Sequence, residues 1–323
     1  CEGLVQQNDR CVLQHQPGKQ GALKLPARQC GNGAWAKPAQ AHLCQGVGAT
    51  LSVLVLGGVP KRLAAGGMDA STAGRITLGI AAALCLVTAL VCWLGLKRGT
   101  PSQMGEREPL AVVMRAGLDA ARRNPKIWFA YLLQFVSFAD RIVIGTFFSL
   151  RLQQSAIAQG VSVADAVGLA RRPFVIANAA GLVFAIFFGL MLDRVNRITA
   201  GVIAMAIAGL GYIAGGFVGD PNSPAITYVA ILLGLGQIAA IVASQTVLGQ
   251  EAPQDVRGAV FGFAGICASL GILFTTGFGG WLYDVVGKGS PFFLIGSVNV
   301  LIMLFGIYLL VRNARAATSP RPA

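Results

Sequence analysis

Seven apolar runs limit what this chain can become: residues 77–96, 127–150, 174–192, 198–218, 226–248, 258–282 and 291–311. Each is near or above the roughly 20 residues that a bilayer-crossing helix needs. With 54% apolar and 12% charged residues and a mean hydropathy of +0.64, the chain has too little polar surface to dissolve these runs in water. Its solvent is lipid. Barrel strands alternate over about ten residues, whereas these runs are apolar on every side, so the expectation is an all-α membrane protein, a polytopic helical bundle. An eighth stretch, "GVGATLSVLVLGGV" at 46–59, stops at Pro60 and reads as a short or damaged span. "GLGQIAA" (234–240) and "GILFTTGFGG" (271–280) place small residues at helical spacing, which lets helices approach closely in lipid.

Orientation follows from the basic residues. Alternate loops beginning with Lys97 hold thirteen Lys and Arg, and the opposite set, from Lys61 to Lys288, holds seven. The richer side is expected to be cytoplasmic, with the C-terminus on it. The net charge of +13 is then a topology and anionic-lipid signal. Spread over loops without aromatic interleaving, it is no nucleic-acid footprint. The loop 97–126 contains "PLAVVMRAGLDAARRNPK", in which Leu110, Val113, Met114, Gly117 and Leu118 share a helical face, so an amphipathic helix is expected at the membrane surface.

Charge is concentrated at one hydrophobic boundary. "GLMLDRVNR" (189–197) joins two apolar runs and packs Asp193, Arg194, Asn196 and Arg197 into a tight inner loop. Such groups clamp helix ends only when the helices come together on that side, so they can bias a two-state packing. Positive-inside anchoring explains the arginines but not the acid. Both readings stay open. A second boundary, "EAPQDVRGAVFG" (251–262), sets Glu251 before a Pro and then Arg257 and Gly258 at the start of a Gly-rich run.

These two stretches resemble the major facilitator superfamily. Its signature G-x-L-x-D-R-x-G-R-[KR] is matched at Gly189, Asp193, Arg194 and Arg197, and departs at Met191, Asn196 and Ile198. Asn196 in place of Gly is expected to keep a left-handed turn. Glu251, Arg257 and Gly258 are similar to the pattern the family places before its second-to-last span. The resemblance covers residues 97–315. It implies a six-helix transporter half of a twelve-span fold, preceded by one or two helices of the other half, with a small solute bound near the midplane. The domain expectation is a polar arm at 1–45, disordered or frame-disrupted; a remnant at 46–96; a central loop at 97–126; the six-helix half at 127–312; and a cytoplasmic tail at 313–323. The expected location is a plasma or bacterial inner membrane.

Inside the spans ionisable groups are almost absent, and Asp140 and Arg141 stand out in "QFVSFADRIVIG". Unpaired at mid-depth, each costs about 2.5 to 3.5 kcal/mol. One reading makes Asp140 a proton-coupling or substrate group with Arg141 as its charge balance; the other makes both structural. Gln134, Asn178, Gln237, Gln245 and Asn299 are uncharged cavity candidates or interhelical hydrogen bonds. Phe147, Phe148, Phe184, Phe187 and Phe188 suit a neutral or amphiphilic solute, or plain packing. Residues 1–45 hold both histidines and four cysteines, but without metal-ligand spacing, so no metal and no cofactor is expected. No H-E-x-x-H, G-x-S-x-G or P-loop occurs. The functional expectation is secondary active transport, proton-coupled, or uniport, and not an enzyme. The rival is a non-transporting membrane scaffold.

Overall fold

The computed structural model describes residues 55–95, 109–192 and 194–318, with Gly48 and Ser52 besides. The polar arm at 1–45, Asp193 and most of the eighth stretch lie outside the described residues. A 3₁₀ turn, Leu56–Gly58, leads into α1 (Val59–Ala65), then α2 (Ala70–Gly95) and α3 (Leu110–Arg123). Six long helices follow: α4 (Pro125–Ala158), α5 (Val163–Leu192), α6 (Arg197–Phe217), α7 (Ala225–Glu251), α8 (Arg257–Val285) and α9 (Ser290–Thr318). Among the described residues, helices α2 and α4 to α9 are the seven long and apolar enough to cross a membrane.

The helices outrun the apolar windows. α5 begins at Val163 and carries Arg171, Arg172 and Pro173 within it, where the sequence places a loop before 174. α4 continues past 150 to Ala158. Hydropathy marks only the part of a helix that faces lipid or core, and polar turns at its ends do not register. Pro60 lies inside a helix. It stands at the second position of α1, where a missing N–H costs nothing.

Two of the long helices are widened along their length. α4 passes through a π segment at Val143–Phe148, and α8 through one at Thr275–Gly279. The two helices press together on either side: a Cβ on Gly271 would collide with the Phe135 carbonyl, and one on Gly279 would touch Phe147 at 3.5 Å. α5 and α7 cross as closely, with Gly234 against the Ala177 carbonyl.

The core lies among α4, α6, α7 and α9, where Phe129, Leu133, Met205, Tyr212, Leu233 and Phe292 are fully enclosed. Phe147, Phe148 and Phe188 are core residues as well, while Phe187 is 62% exposed. A second cluster gathers Ala121, Ile127, Tyr131, Leu248 and Val260 beneath α3. The amphipathic face of α3 turns toward the bundle: Gly117 meets Phe263 and the Ala259 carbonyl, and the Tyr131 hydroxyl donates to the Gly117 carbonyl (3.1 Å). Leu110, expected on that face, is exposed. α2 is different, its apolar window having no buried residue.

Candidate functional site

Both charged boundaries of the sequence meet at one end of the bundle. Helix α4 starts with Asn124-Pro125: the Asn124 side chain accepts from the Lys126 N–H (3.1 Å), and proline fills a first-turn position that needs no donor. The same Asn124 donates from Nδ2 to Glu251 Oε2 (2.8 Å), while Lys126 Nζ lies 2.9 Å from Glu251 Oε1. Both oxygens of the acid that ends α7 are therefore held by the first residues of α4. Arg257 does not pair with Glu251. Its guanidinium donates to the Gly249 carbonyl (2.9 Å), capping the C-terminal turn of α7.

The α5–α6 loop closes this end. Amide groups of Arg194 and Val195 donate to the Met191 carbonyl (3.0 Å each), ending α5. Asn196 then caps α6 by accepting from the Ile198 N–H (3.0 Å) at φ −58° and ψ 131°. The expected left-handed turn at Asn196 is thus overturned. Capping needs an extended backbone at that position, and the short amide of Asn supplies the acceptor. Arg194 and Arg197 line a cleft of about 370 Å³ together with Lys126, Gln250, Glu251 and Asn313. Asp193, the acid of the signature, lies outside the described residues. Gly189 and Gly258 have nothing within 4 Å of an added Cβ, so the faces of α5 and α8 that carry them are open.

Deeper in the bundle, Asp140 is fully buried on α4. Asn299 of α9 donates from Nδ2 to Asp140 Oδ1 (3.3 Å), and the Tyr212 hydroxyl of α6 donates to the Asp140 backbone carbonyl (3.0 Å). That carbonyl also accepts from the Val143 N–H where the π segment begins, so the Tyr212 hydroxyl takes its second lone pair. The charge balance expected from Arg141 is absent. Successive helix positions point about 100° apart, so Arg141 faces outward with its guanidinium 5.9 Å from the Phe138 ring centroid. A buried carboxylate without a cation is costly, and Asp140 Oδ2 and Asn299 Oδ1 both lack hydrogen-bond partners.

The uncharged candidates divide. Gln134 accepts from the Ser244 hydroxyl (3.1 Å) and Gln237 donates to the Ser137 carbonyl (3.4 Å), both joining α4 to α7. Asn178 donates to the Phe174 carbonyl of its own helix (2.8 Å). Gln245 is half-buried within α7. Four residues outside the sequence-based set matter as much. Asn124 and Lys126 hold Glu251, Tyr212 holds the Asp140 backbone, and Arg151 bonds the Gly215 and Gly216 carbonyls at the other end of the bundle (3.1 Å each). The "NPK" capping signal was readable for the first pair; nothing local marks the others.

A family model for the major facilitator superfamily matches residues 130–323, more than half of the chain. The chain belongs to the major facilitator superfamily. Among curated relatives, magnetosome protein MamH of Paramagnetospirillum magneticum is 28% identical over 64% of this chain and 48% of its own length. Magnetosome protein MamZ of Magnetospirillum gryphiswaldense is 26% identical over 65% of this chain and 32% of its own. The chain thus spans about half or less of the curated relatives it matches. Among solved structures, the major facilitator transporter FucP in its outward conformation superimposes with a TM-score of 0.51 at 17% identity. That match covers 84% of this chain and 67% of FucP. It speaks for the fold alone. Within this superfamily member, the clamped end carries the signature residues, and the buried acid lies between helices of the same six-helix bundle.

Proposed function

We propose that this protein moves a small solute across a bacterial membrane by alternating access, coupled to protons through Asp140. The observation that carries the reading is a fully enclosed carboxyl that accepts from Asn299 of α9, on a residue whose backbone carbonyl accepts from Tyr212 of α6, in a member of the major facilitator superfamily. An acid is retained in such a place at a stability cost that packing alone gives no reason to bear. Asn124, Lys126 and Glu251, with Arg194 and Arg197 beside them, form the inner gate. Their contacts join α4 to α7 in one helix arrangement and part in the other. Likeness to proteins named for the magnetosome supports a bacterial inner membrane or the magnetosome membrane as its location.

Transport is tested by reconstituting the protein into proteoliposomes and following uptake of a panel of radiolabelled sugars, amino acids and carboxylates. Saturable uptake of at least one solute is expected, reduced severalfold by Glu251→Gln. If no solute of the panel enters faster than into empty vesicles, the scaffold reading replaces this one. Unchanged flux in Glu251→Gln would reduce the clamp to an anchor.

A further inference from the structure

Four buried side-chain atoms among the described residues lack a hydrogen-bond partner, and two of them face this one site: Asp140 Oδ2 and Asn299 Oδ1. Counting hydrogens explains the pair. The Asn299 amide has two N–H donors, and both are used, one on Asp140 Oδ1 (3.3 Å) and one on the Ile295 carbonyl (2.9 Å). Its Oδ1 needs a donor that the amide cannot supply. An ionised Asp140 has none to give, since a carboxylate only accepts. A neutral Asp140 has one donor, and that donor belongs to whichever oxygen is not already accepting from Asn299. The two deficits cancel when Asp140 carries a proton.

We propose that in this conformation Asp140 holds its proton on Oδ2 and donates it to Asn299 Oδ1, closing a cyclic acid–amide pair that latches α4 to α9. Asn299 is the positioning residue. It fixes which oxygen bears the proton and what is lost when the proton leaves. Deprotonation removes the donor, leaves a bare charge among apolar neighbours, and favours a helix arrangement that admits water. The groups that face Asp140 make no competing claim. Among the described residues, the side chains that hydrogen-bond Asp140 are Tyr212 of α6, whose hydroxyl donates to the backbone carbonyl, and Asn299 of α9, both of whose N–H groups are already used. The one neighbouring charge on α4, Arg141, faces away. The consequence for transport rests on the proton-coupled reading above; the latch itself does not.

Infrared difference spectroscopy on the whole protein in lipid vesicles at neutral pH reads the proton directly and needs no substrate. The wild type should show the carbonyl band of a protonated, hydrogen-bonded carboxylic acid. That band should vanish in Asp140→Asn and move to higher frequency in Asn299→Leu, where the acid loses its acceptor. A companion measurement does not depend on Asn299→Leu folding. Asp140→Asn should melt with the wild type, because its amide donates to the same Asn299 oxygen, whereas Asp140→Leu should melt several degrees lower. Absence of the band in the wild type overturns the latch, as does a band unmoved by Asn299→Leu. Equal destabilisation by Asn and Leu at 140 also overturns it, and loss of the band on adding sodium would assign the site to a cation instead. Failure of uptake with the band intact would count against transport and leave the latch standing.

Discussion

Asn124 shows how much one amide can hold. Its oxygen caps α4 and its nitrogen binds Glu251, so Asn124→Ala removes an N-cap worth about 1 kcal/mol together with an interhelical bond of similar worth. The melting temperature of the purified protein should fall by several degrees, and a wild-type melt would mean the clamp is not formed in solution. Arg141 should behave in the opposite way. Because it faces outward over Phe138 and is not the counter-charge of Asp140, Arg141→Gln should leave stability within about 0.5 kcal/mol of wild type, read from the same melt. A large loss would place Arg141 back in the polar cluster. Asp140 was legible in the sequence because a charge within an apolar run is rare. Its partner was not, since Asn299 is 159 residues away and only the azimuth of two helices brings them together. Neighbours in sequence such as Asp140 and Arg141 invite pairing on paper, yet a helix turns them apart.

Helix identity was readable from run length, and helix ends were not. The apolar windows begin and stop where side chains cease to be greasy, while the backbone keeps its hydrogen bonds through polar turns such as Arg171-Arg172 in α5. The π segments at 143–148 and 275–279 left no sequence signal of their own. They place looser turns next to Asp140 and at the tight α4–α8 crossing, where two helices can change register without breaking. Close crossings give a sharp contrast between glycines. Gly234→Ala must force α5 from α7, because its methyl would occupy the Ala177 carbonyl, and overpacking of this kind costs about 1 to 3 kcal/mol or more. Gly262→Ala, on the open face of α8, has nothing within 4 Å to strike. The fraction of monodisperse protein on size exclusion should drop for the first and not for the second. Equal behaviour of the two would mean that α5 and α7 do not cross in backbone contact at Gly234.

The bundle as a whole was foreseen in kind, as apolar helices long enough to cross a membrane, whereas the packing of α3 against it and the meeting of Arg194, Arg197 and Glu251 at one cleft were not. What faces the open sides of α5 and α8 was beyond reach of any local pattern, because those faces are as apolar as lipid itself. Orientation remains an expectation from the thirteen to seven basic asymmetry, and a single cysteine at each side tests it in a background without native cysteines. An impermeant thiol reagent should label Asn222→Cys from outside intact cells and leave Ser102→Cys untouched; the reverse pattern would invert the topology. Function turns on whether the buried acid couples a proton to solute movement. Proteoliposomes carrying wild type or Asp140→Asn, loaded to impose an inward proton gradient and given a solute that the uptake panel identifies, decide it. The wild type should concentrate the solute only while the gradient lasts. Asp140→Asn should still exchange solute across the membrane but concentrate none, because its amide mimics the protonated acid and has no proton to release. Concentrative, gradient-driven uptake by Asp140→Asn would contradict proton coupling through Asp140.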